Sequence, residues 1–218
     1  MVVVFVVLTF AVFIAVDAYL NRNRVPVAAP EPAVQKPATA RTDIVGGYYT
    51  PDSVRYHPGH TWVHRERKNV HRIGADAFAS ALIGDVEAIE LPKPGHWVRQ
   101  GQKAIEVVRG GEKFTLVCPL EGEVMEVNAE ALKNPKLLRE DPYGKGWLMT
   151  IFAPDEEGPA RNLLPANLVR GWMQDAADRL FRLQPQLAGA TAADGGQPVP
   201  GATTGVTAQQ LSKEFFLS

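Results

Sequence analysis

Between residues 51 and 183 the chain is cut into short apolar runs by glycine and proline, and this punctuation limits what it can fold into. Thr61 to His64 and Val70 to Ile73 read as strands joined by the charged turn Glu66 to Asn69. Val86 to Leu91 alternates as a half-buried strand does and is stopped by Pro92 and Gly95. Val98, Ala104 to Val108, Phe114 to Val117, Gly122 to Asn128 and Trp147 to Phe152 supply further strands. Helices are few. Asp76 is placed to cap a helix over Ala77 to Leu82 that closes at Gly84. Ala129 to Glu140 has helical spacing around Leu132, limited by Pro135, and Asn167 to Leu183 sets Leu168, Trp172, Ala176 and Leu180 at intervals of four. The fold class expected is mainly β (α+β): a small β-sandwich or flattened barrel with peripheral helices.

Composition divides the rest. Val2 to Tyr19 is almost continuously apolar, and as a helix would span about 30 Å, enough for a bilayer core. A cleaved signal peptide carries basic residues before its apolar core; here Arg22 and Arg24 follow it, which favours an uncleaved anchor over residues 1–24. By the positive-inside rule the remainder of the chain lies in the cytoplasm, with membrane contact through residues 2–20. Asp17 fits an interfacial position one turn from the basic end, or a hydrogen bond to a partner helix in the membrane. Residues 25–50 carry prolines at 26, 30, 32 and 37 among alanines and read as a semi-rigid linker. Residues 184–218 form a tail rich in Ala, Gly, Thr, Gln and Pro, read as disordered up to its apolar end. Phe215 and Phe216 in that end suit either a docking segment or a helical turn folded back on the domain.

The 218 residues carry a net charge of -1, giving no reason to expect nucleic acid as a partner. One cysteine, Cys118, excludes an internal disulfide and a multi-cysteine metal site, and its setting is that of a small packed residue. His57, His60 and His64 sit close in sequence, but along a strand His60 and His64 are roughly 13 Å apart, too far for one ion. No nucleophile triad order, phosphate-binding glycine loop or zinc-protease pattern occurs, so no enzymatic activity and no metal are expected.

An ordered series of short motifs carries a resemblance. It comprises His57 to Val63 with its His and Trp, Ile73 to Ala79, Leu82 to Val86, Ile89 to Pro92, Gly95 to Gly101, Pro119 to Val127, and Asp141-Pro142-Tyr143-Gly144-Lys145-Gly146-Trp147-Leu148. Over about Tyr56 to Phe181 the chain resembles the H protein of the glycine cleavage system, a carrier with a lipoyl/biotinyl-like fold that bears lipoate on a hairpin lysine. The resemblance implies a carrier hairpin around Glu106 to Lys113. Read forward from Glu106, the lysine place falls on Arg109; read backward from Pro119 it falls on Gly111. The hairpin thus carries a two-residue insertion, and neither framing yields lysine.

Arginine cannot replace the amine, because its guanidinium stays protonated and is a very poor nucleophile. Gly110-Gly111 is a strong signal for a two-residue hairpin turn, across which Arg109 and Glu112 would form an exposed ion pair worth at most ~1 kcal/mol. Lys113 is the one lysine near the tip, on the returning strand, whereas Lys103 and Lys145 are misplaced. Two functions follow as expectations. One is a membrane-tethered scaffold or accessory binding subunit with a degenerate carrier hairpin (Glu106, Arg109, Gly110, Gly111), no cofactor, and membrane-associated protein partners. The other is a lipoyl carrier modified on Lys113. A transport adaptor of the membrane-fusion type fits less well, because such proteins split their lipoyl halves around a long coiled coil.

Overall fold

Alternating side-chain burial sorts the strands into three antiparallel sheets. The computed structural model describes residues 42–155, 162–183 and 207–217, all within the unit Ala40–Ser218. The expected anchor (residues 2–20), Asp17, most of the linker and residues 184–206 lie outside the described residues. Among the described residues no helix is long and apolar enough to cross a membrane.

Strands β1 (Thr42–Val45) and β2 (Tyr48–Pro51) form a two-stranded hairpin. Six more strands make the main sheet: β3 (Arg55–His57), β4 (Thr61–Arg67), β5 (Val70–Ala75), β7 (Trp97–Val98), β10 (Gly122–Val127) and β11 (Met149–Phe152), in the order β3-β4-β5-β11-β10-β7. Strands β6 (Ala88–Glu90), β8 (Lys103–Arg109) and β9 (Glu112–Val117) make the third sheet, with β8 central. Val63, Ile73, Val124 and Ile151 of the main sheet share one core with Ile105, Val107, Phe114 and Leu116 of the third. This is the expected sandwich, with helices at its periphery.

The helices begin and end where local chemistry dictates. In α1 (Ala77–Ile83) the Asp76 carboxylate caps the first turn, Oδ1 accepting from the Ala79 N–H at 2.8 Å, and Gly84 closes the helix. Pro135 splits the expected Ala129 to Glu140 helix into α2 (Ala129–Lys133) and α3 (Leu137–Glu140). In α4 (Ala166–Leu183) the buried positions are Met173, Ala176 and Leu180, while Leu168 is 52% exposed. Spacing by fours advances about 40° beyond a full turn at each step, so Leu168 has drifted off the face that Trp172, Ala176 and Leu180 keep. The Asp141-Pro142-Tyr143-Gly144 turn is closed by its own carboxylate, which accepts from the Gly144 and Lys145 N–H groups. The Tyr143 hydroxyl accepts from the Ala77 N–H and donates to Tyr49 O, joining α1 to β2.

One expectation needs correction, and one pair of alternatives is decided. The linker does not extend to residue 50: Gly46 and Gly47, both at positive φ, turn the hairpin, and Val45 and Tyr48 are buried. Prolines further upstream masked this local strand–turn–strand pattern. The segment Phe215-Phe216 is folded back on the domain, in α5 (Ala208–Leu211) and a π-helical turn (Ser212–Phe216).

Trp62 is fully buried, its Nε1–H donating to Ala75 O (2.8 Å) and Pro142 O (3.1 Å). It lies flat on Gly74, where an added Cβ would stand 2.6 Å from the indole. Gly74→Ala is expected to cost about 1–3 kcal/mol through this overpacking, read as a lowered urea midpoint at unchanged slope.

Candidate functional site

The hairpin joining β8 to β9 is the one for which the sequence resemblance implies a carrier role. Arg109 pairs with Glu112 in register, Val108 with Lys113 and Glu106 with Thr115, leaving Gly110 and Gly111 as a two-residue turn. Both have positive φ (57° and 76°), as a type I′ turn requires of its central residues. The apex therefore carries no side chain. Its backbone is held from one side, with Gly110 N–H donating to Glu87 Oε1 at 3.0 Å.

Arg109 is held by more than the cross-strand contact that the sequence suggests. It is Glu112's cross-strand partner, yet its guanidinium turns toward the C-terminus of α1, where Nη1 donates to Ile83 O at 2.7 Å and lies 3.5 Å from Leu82 O. The aliphatic stem and guanidinium lie over Phe114, 5.0 Å from the ring centroid. The last carbonyls of a helix have no partner within it and carry partial negative charge, so a cation there is better placed than beside an exposed carboxylate. Arg109 is thus a strut between hairpin and helix.

Lys113 lies on β9, one step back from the tip, with its side chain 53% exposed. Its ammonium donates to Glu106 Oε2 at 2.7 Å and to both carboxylate oxygens of Glu90 at 3.1 and 3.2 Å. Hydrogen bonding to Lys113 and its positive charge hold Glu106 below the usual carboxylate range; the bonds to Glu106 and Glu90 raise Lys113. Lys103 opens β8, and Lys145 sits in the turn closed by Asp141, so neither joins this cluster.

The histidines are structural. His60 is fully buried, with Nδ1 2.8 Å from Asp76 Oδ2; His57 Nδ1 accepts from the Gly59 N–H; His64 Nδ1 lies 3.1 Å from Ser53 O. No group of three or more metal-ligating side chains occurs among the described residues. Cys118 is buried, its thiol donating to Leu120 O, and burial pushes its pKa up to about 12. A cleft of about 320 Å³ lies between the β1–β2 hairpin and the start of α4, lined in part by Asp43, Arg55 and Arg170, and it holds none of the hairpin residues. Sequence reasoning missed the partners of the hairpin cations. The α1 carbonyls leave no trace in side-chain identity, and Glu87 and Glu90 become relevant only once β6 is paired with β8.

Two outcomes are expected. Arg109→Ala should lower stability by about 1 kcal/mol, discounted for partial exposure, and accelerate amide exchange at Gly110 and Gly111. Because Glu106 titrates lower in the folded state, its contribution is full above the ordinary carboxylate range. That contribution is lost as pH falls through the lowered value, so Glu106→Gln should flatten this part of a urea-stability profile taken in acid.

Residues 54–176 match the family profile described as Glycine cleavage H-protein. The glycine cleavage system H protein of Mycobacterium leprae is 33% identical over 124 residues, covering 56% of this chain and 94% of the relative. That of Alteromonas mediterranea is 36% identical over 105 residues, covering 48% and 81%. The crystal structure of the Mycobacterium marinum H protein superposes with a TM-score of 0.48 at 28% identity, covering 56% of this chain and 97% of that one. The chain belongs to the glycine cleavage H-protein family.

Proposed function

We propose that this chain is a non-lipoylated H-protein-like module, a membrane-tethered scaffold or accessory subunit that binds protein partners and performs no catalysis itself. The observation that carries this reading is Arg109. Read forward from Glu106 it occupies the carrier position; it cannot form the amide, and it donates toward the carbonyls of Ile83 and Leu82. A swinging arm needs a free amine at the apex of its hairpin. This apex is two glycines, so the residues present do not fit lipoate and no step is routed through it.

Tethering rests on the sequence of residues 2–20, and placement of the domain on the cytoplasmic side rests on Arg22 and Arg24. A reporter fused after Ser218 should be active in the cytoplasm; activity only outside would reverse the orientation.

The second reading, lipoate on Lys113, is favoured by one fact: a primary amine stands half-exposed one residue pair from the tip. Against it, the amine is clamped by Glu90 and Glu106 and its pKa is raised, which reduces the neutral, nucleophilic fraction. Intact mass with peptide mapping across Lys103 to Lys113 decides between the two. In cells whose other lipoyl proteins are fully modified, this hairpin is expected to be unmodified. A lipoyl adduct on Lys113 would make the protein a membrane-bound shuttle.

A further inference from the structure

The segment Thr207–Leu217 lies beyond the family match, yet it is seated against the carrier hairpin's returning strand. Strand β9 is an edge of its sheet, and its outward Thr115 N–H donates to Ser212 Oγ at 3.0 Å. Phe215 and Phe216 are fully buried. Phe215 packs 5.2 Å from Phe78, and both rings stand edge-on to His60 at 6.4 Å. Arg179 of α4 lies over Phe215 and pairs with Glu214 at 3.7 Å. The groove is shaped for this occupant at Gly59, where any Cβ would stand 2.6 Å from Phe216 O.

The segment is also capped by its own residues. Thr207 and Gln210 form a reciprocal capping box, and Leu217 N–H closes onto Ser212 O, so both ends of the segment carry hydrogen bonds of its own. The relative from Mycobacterium leprae is matched over 94% of its length by 124 residues of this chain, and the family match ends at residue 176. The family domain is therefore built without such a segment. A short helical element, tied to the rest by the Thr115–Ser212 bond, by Arg179 against Glu214 and Phe215, and by apolar contacts, has the construction of a helix-in-groove ligand.

We propose that Thr207–Leu217 is a detachable ligand of this chain's own groove: a strap that covers a helix-docking site on β9 and exposes it on leaving. A short amphipathic helix with a paired-aromatic end would fit the vacated site. This holds whether or not Lys113 carries lipoate, and its test does not depend on that reading.

The test uses the full chain with a site-specific protease sequence inserted between Gly195 and Gly196. Connection in one chain gives the segment an effective concentration on the order of 1 mM. Cutting it should let a fluorescent peptide of residues 207–218, at ~10 µM, enter about 100-fold more readily than in the uncut protein. Tryptophan emission and circular dichroism should keep their native form. In the uncut chain, Phe215→Ala with Phe216→Ala should speed amide exchange at residues 207–217 and at Thr115, leaving β4–β5 and β10–β11 protected. Unfolding on cutting, failure of the peptide to exchange, or a uniform loss of protection in the double variant would each overturn the proposal and make the segment part of the indivisible core.

Discussion

One buried carboxylate organises much of this domain. Asp76 is fully inaccessible and serves two elements at once: Oδ1 caps α1, and Oδ2 holds His60 Nδ1 at 2.8 Å. The imidazole so fixed is stacked between Phe78 of α1 (4.3 Å) and Trp172 of α4 (4.4 Å), while the His60 carbonyl accepts from the Asp76 N–H. A buried carboxylate is costly unless its oxygens are satisfied, so the entry of β4, the start of α1 and the face of α4 stand or fall together. His60 adopts φ 59°, a strained conformation for a non-glycine residue, which persists because the contacts on both ring faces over-determine it. The same aromatic group receives Phe215 and Phe216, so the C-terminal segment docks on a surface that this knot has already made rigid.

In the β8–β9 hairpin the side chains next to the tip serve to hold it in place. Strand pairing, a positive-φ turn and an acidic surround are all present. What fixes the tip is where the cations point. Arg109 reaches back to helix carbonyls and Lys113 sideways to two carboxylates, so both charges are spent on fixing the tip. A long side chain at such a position either reaches outward or braces inward, and here the helix terminus decides for the second.

Legibility in the sequence followed the range of the interaction. Capping of α1 by Asp76, its closure at Gly84, the break at Pro135 and the Gly110-Gly111 turn depend on neighbours within a few residues, and each could be read directly. The β1–β2 hairpin escaped because its Gly46-Gly47 signal lies at the end of a proline-rich stretch whose composition dominates any window drawn around it. The buried face of α4 was legible at Trp172, Ala176 and Leu180, while Met173 was missed and Leu168 lies outside it. The fate of Phe215 and Phe216 was open in principle. Whether an apolar terminal segment packs or protrudes depends on an edge strand a hundred residues away.

Cys118 has a consequence for where such a domain can persist. Its sulfur is enclosed, hydrogen-bonded to Leu120 O, and so reluctant to ionise that thiolate is scarce at any physiological pH. Thiol–disulfide exchange and oxidation both begin from the accessible thiolate. The folded domain is therefore insensitive to the redox poise around it, and no covalent bond in its core changes between an oxidising and a reducing compartment. Whichever face of a bilayer it occupies, its architecture rests on packing, hydrogen bonds and ion pairs, with no disulfide among them.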